Sequence, residues 1–95
     1  MHEMSLMNNL MNQIDAVASR EGAERVVAIK VRLGALSHMS PDHFREHFAM
    51  ASIGGIADSA ELDIETSDDQ QDPFAMDVVL DAVEIEVSET LKGKR

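Results

Sequence analysis

Ninety-five residues make one domain, and at this size folding buries only about 60–65% of the unfolded chain's surface, so the core is modest. With 44% hydrophobic and 27% charged residues the chain has the composition of a folded protein. Eighteen acidic against eight basic residues leave a net charge of −10, which repels phosphate backbones and anionic lipid and argues against nucleic acid and membrane surfaces as partners. The absence of cysteine excludes disulfides, thiolate zinc sites and thiol nucleophiles, and fits a reducing cytoplasm. No apolar run reaches the roughly 18 residues of a membrane span. The opening Met1-His2-Glu3-Met4 lacks the basic flank of a signal peptide, so Met1 is expected to be the mature terminus.

In chain order, Leu6, Met7, Leu10, Met11, Ile14, Val17 and Ala18 recur at three and four residues, an amphipathic helix with Ser5 as its expected cap and Gly22 at its end. Val27, Ile29, Val31 and Leu33 then alternate with Ala28, Lys30 and Arg32, which predicts a strand ended by Gly34. Ser40-Pro41-Asp42 offers an N-cap, a proline at the first helical position and an early acid. The second helix should run from about Pro41 to Ile53, with Phe44, Phe48 and Ala51 as its apolar stripe, and Gly54-Gly55 should stop it.

Leu62 and Ile64 between Glu61, Asp63 and Glu65 predict a short strand with one wet face. Ser67 to Pro73 is polar and aperiodic, a solvated loop. Met76 to Val87 is strand-like, but its apolar phase is even at Val78 and Leu80 and odd at Val83, Ile85 and Val87, so a bulge is expected near Asp81. Residues 89–95 are expected to form a flexible tail. The fold class is α/β in the broad α+β sense: one domain over residues 1–95, ordered α-β-α-β-β, with two helices on one face of a three-stranded mixed sheet. The strand-helix-strand unit makes its two strands parallel if they share that sheet.

Met1, His2 and Glu3 can hold a metal between them. The α-amine of Met1 with the backbone nitrogen and imidazole Nδ1 of His2 closes fused chelate rings around one ion, and the Glu3 amide nitrogen can complete four nitrogens. Such a set suits Ni(II) or Cu(II) rather than tetrahedral Zn(II). The alternative is a frayed terminus with an incidental histidine. His43 and His47 lie one turn apart on one face of the second helix, and His38 precedes it. His38, His43 and His47, with Asp42 or Glu46, form a candidate second metal site; the alternative is a solvated helix edge. Met1, Met4, Met7 and Met11 also recur at helical spacing, which suits soft ions but suits helix packing better. No serine-nucleophile motif, phosphate-cradling glycine loop or calcium loop is present, so the chain is read as non-enzymatic.

Met1-His2-Glu3-Met4-Ser5-Leu6, Glu21-Gly22-Ala23-Glu24-Arg25-Val26, Arg32-Leu33-Gly34-Ala35-Leu36-Ser37 and Ala60-Glu61-Leu62-Asp63-Ile64-Glu65, in that order, resemble the HypA family of hydrogenase-maturation nickel chaperones. Val83-Glu84-Ile85-Glu86-Val87 is similar to the family's closing strand. The resemblance implies Ni(II) at Met1, His2 and Glu3, which match residue for residue. It also implies a nickel-handling GTPase and the large subunit of a [NiFe] hydrogenase as partners. Family members carry a zinc ribbon with two Cys-x-x-Cys pairs between their last two strands, where this chain has only an acidic loop at residues 66–75 and no structural zinc is expected. A different possibility is an adaptor or regulator that binds maturation partners without shuttling metal. An exposed sheet edge makes a homodimer a further expectation.

Overall fold

The computed structural model describes the backbone of residues 2–87 and the side chains of residues 4–87; the expected tail at 89–95 lies outside the described residues. The elements are α1 (His2–Glu21), β1 (Arg25–Leu33), α2 (Pro41–Ala51), β2 (Glu61–Thr66) and β3 (Val78–Glu86), the α-β-α-β-β order expected. The sheet runs β2-β1-β3, with β1 parallel to β2 and antiparallel to β3. Both helices share one core with the sheet, α1 lying over β3 and α2 over β2 with the helices touching.

Leu6, Met7, Leu10, Ile14 and Ala18 bury the inner stripe of α1, while Asn8, Asn9, Asn12, Gln13 and Asp15 face water. Ser5 is not the cap: the helix begins at His2 and Ser5 is an exposed residue inside it. Nothing in His-Glu-Met breaks a helix, and a glutamate in the first turn suits the positive end of the helix dipole. The far end closes as expected. Gly22 takes φ +66°, its N–H donates to the Ser19 carbonyl at 3.2 Å, and the Ala23 N–H donates to the Ala18 carbonyl at 2.9 Å. These are the paired bonds of a Schellman motif, with glycine at the left-handed position.

On β1 the buried residues are Val26, Ile29, Val31 and Leu33, so Val26 replaces the expected Val27. The register explains the change: Val26 opposes Ile85 and Ala28 opposes Glu84, leaving Val27 as the extra residue of a bulge that reverses the phase. The bulge expected on β3 is present, since Lys30 opposes Ala82 and Val31 opposes Leu80, leaving Asp81 unopposed. Arg32 of β1 reaches that residue, with Nη1 3.4 Å from both carboxylate oxygens of Asp81.

Ser40 caps α2, its hydroxyl accepting from the His43 N–H at 3.2 Å, and Pro41 stands in the first turn. Phe44 and Phe48 are buried and stack with centroids 6.0 Å apart. Ala51, expected in the same stripe, is exposed, and Ser52 is buried in its stead because the inner face advances by four residues each time. The helix stops at Ala51, short of Ile53, which is 73% exposed; Gly54 then turns the chain at φ +75°.

β3 starts at Val78 rather than Met76. The Ala75 and Asp77 N–H groups are taken by turns, donating to the Asp72 and Phe74 carbonyls at 3.0 Å each, and Phe74 and Met76 are exposed. This loop is not free in solvent along its whole length. The Gly34 N–H donates to the Asp77 carbonyl at 2.9 Å, the Leu36 N–H donates to the Ala75 carbonyl at 2.7 Å, and Ala75 is buried. The loop backbone lies so close to Gly34 that a Cβ there would stand 2.7 Å from the Phe74 carbonyl oxygen and closer still to the Ala75 carbonyl.

Candidate metal centre

The Met-His-Glu site falls at the start of α1. Met1 and the side chains of His2 and Glu3 lie outside the described residues; the backbone of His2 and Glu3 forms the first helical turn. The first four N–H groups of an α-helix have no carbonyl one turn back to accept them. The amides of His2 and Glu3 are therefore helix amides without an intrahelical role.

The second set divides. Ser40 and Pro41 start α2 so that His43 and His47 lie one turn apart on its outer side, their rings tilted by 60° with centroids 4.5 Å apart and their Nε2 atoms 2.9 Å apart. His43 is exposed and His47 half-buried. His38 does not extend this face. It sits before the helix, exposed, with φ +60°, in the turn that carries the chain from β1 into Ser40. Asp42 and Glu46 are exposed on α2, and among the described residues no group of three His, Asp or Glu side chains converges to hold an ion. The structure thus assembles two of the three histidines.

The methionine stripe is chiefly packing: Met7 is buried, Met11 half-buried and Met4 58% exposed. Two residues that frame this region have roles that sequence reading did not record. Ser37 is buried, and its hydroxyl donates to the Gly34 carbonyl at 2.8 Å, closing the turn that leads to His38. Serine in a Gly-Ala-Leu-Ser stretch gives no signal of burial by itself. Gly34 was legible as the end of a strand, but the loop lying against it is a long-range contact that no local pattern records. An open groove of about 910 Å³ is lined by residues that include Arg45, Phe48, Ser52, Leu62 and Val83.

Comparison with known proteins identifies the family. The family described as hydrogenase/urease nickel incorporation, metallochaperone, HypA matches residues 1–72. The hydrogenase maturation factor HypA of Chlorobium limicola is 40% identical over 65 residues, 68% of this chain and 56% of that protein. The hydrogenase maturation factor HypA of Rhizobium leguminosarum bv. viciae is 39% identical over 64 residues, 67% of this chain and 57% of that protein. The chain thus spans little more than half the length of these relatives, which are named as maturation factors and not as enzymes. In fold it is similar to the solution structure of the nickel metallochaperone HypA from Helicobacter pylori, with a TM-score of 0.73 over 93% of this chain and 100% of that one at 18% identity. With a family match over most of its length, and without a cysteine from which to build a zinc ribbon, this chain belongs to the HypA family as a member lacking the ribbon's ligands.

Proposed function

We propose that this chain is a non-enzymatic nickel carrier for the maturation of a [NiFe] hydrogenase. Ni(II), the cargo, is held by the α-amine of Met1, the backbone nitrogen and Nδ1 of His2, and the backbone nitrogen of Glu3. The observation that carries the reading is the start of α1 at His2. Amides in the first helical turn lose no helix hydrogen bond when they give up their protons to a metal. Two deprotonated amides cancel the charge of Ni(II), so the positive end of the helix dipole does not oppose the complex. The family match beginning at residue 1 supports the same placement.

Release follows from position. A chelate at a chain terminus can be opened one ring at a time by a competing ligand, and the receiving partners proposed are a nickel-handling GTPase and the hydrogenase large subunit, met in the cytoplasm. No helix of the described residues is long and apolar enough to cross a membrane. The sequence has no cysteine, so the proposed ligand set uses none.

A single residue added before Met1 is the discriminating experiment, because it moves the amine out of the chelate and leaves the fold untouched. A carrier should lose hydrogenase maturation in cells dependent on this chain, whereas an adaptor that never holds nickel should keep it. Full maturation with the extended chain would overturn the carrier reading.

A further inference from the structure

The pair on α2 has a geometry of its own. Two nitrogens bound to one divalent ion at about 2.05 Å each stand about 2.9 Å apart when they are cis at 90°, and about 3.4 Å apart on a tetrahedron. The Nε2 atoms of His43 and His47 are 2.9 Å apart. We propose that His43 and His47 form a second metal site, a two-nitrogen chelate for a divalent ion that prefers cis right-angle coordination, Cu(II) or Ni(II), and that it works independently of the chain terminus.

The two Nε2 atoms lie within hydrogen-bond distance of each other, with the donor set by the ring tautomers. Binding an ion needs both Nε2 lone pairs, so the ion replaces the hydrogen bond between the rings. The Ser40 cap and Pro41 fix the helix turn on which both rings stand, which organises the two ligands before the ion arrives. The site lies near the helix N-terminus, where the dipole disfavours a cation. Asp42 and Glu46 on the same helix oppose that effect, with Arg45 as the one cation of α2. Among the described residues no third His, Asp or Glu side chain converges on the pair, so those residues supply two ligands.

The test uses the full chain carrying His2→Ala, labelled with nitrogen-15, and Cu(II) as the probe. Cu(II) should broaden amide signals around residues 43–47, and His43→Ala or His47→Ala added to this background should weaken that binding at least tenfold, since each leaves a single ligand. His38→Ala should change it by less than twofold. Alanine favours helix at these outer positions, so the variants should fold, and their unbroadened spectra report it. Broadening around residues 43–47 that survives loss of both histidines, or single variants that bind within twofold of the His2→Ala chain, would overturn the proposal. So would the absence of broadening there. Failure of the terminal nickel site would leave the proposal standing, because His2 is already removed.

Discussion

Replacing Gly34 by alanine tests how the loop before β3 is fastened to the sheet. The new Cβ would lie 2.7 Å from the Phe74 carbonyl oxygen and against the Ala75 carbonyl, both backbone, so the loop must move away. Moving it disrupts the Gly34 to Asp77 bond of 2.9 Å and the Leu36 to Ala75 bond of 2.7 Å, at about 1 kcal/mol each. Partial exposure of the buried Ala75 methyl adds about 0.5 kcal/mol. Against this, removing a glycine from the unfolded chain stabilises by about 0.4–1 kcal/mol. The net is about 2 kcal/mol of destabilisation, a fall in melting temperature of about 8–16 °C for a domain of this size. Thermal unfolding followed by circular dichroism measures it. A midpoint equal to or above that of the wild type would mean that the loop does not press on Gly34, and the reasoning would fail.

Phe44→Ala removes a buried ring from the centre of the shared core and should cost about 3–5 kcal/mol, seen as a large drop in the urea midpoint. Ser40→Ala should cost about 1 kcal/mol by removing the α2 cap, and Ser40→Asp should restore most of it. Nickel affinity at the terminal site should fall as the solution is acidified, since the amine, imidazole and amides must all be deprotonated to bind. Calorimetry in buffers of different ionisation enthalpy should record proton release, and binding without it would contradict the ligand set.

The parts of the fold legible in the sequence are those where one residue's neighbours decide its state. The phase change between Leu80 and Val83 revealed the Asp81 bulge because an odd number of residues must be absorbed somewhere between two apolar runs. The Val27 bulge gave no such sign: Val26 and Val27 are the same residue type, and either could have been the inward one. Met76 read as strand because it is apolar, yet the turn bond from the Asp77 N–H to the Phe74 carbonyl had already claimed the backbone around it. At the candidate sites, the four-residue spacing of His43 and His47 carried their pairing, since helix geometry is local. The placement of His38 was not legible, because it depends on a left-handed turn closed by the buried Ser37.

The most direct measurement is a Ni(II) titration of the untagged chain beside His2→Ala, followed by optical absorption and calorimetry. The account predicts one tightly bound equivalent with the weak visible band of planar nickel in the wild type, and the loss of both in the variant. Equal binding by the two chains, without that band, would contradict the terminal chelate on which the proposed function rests.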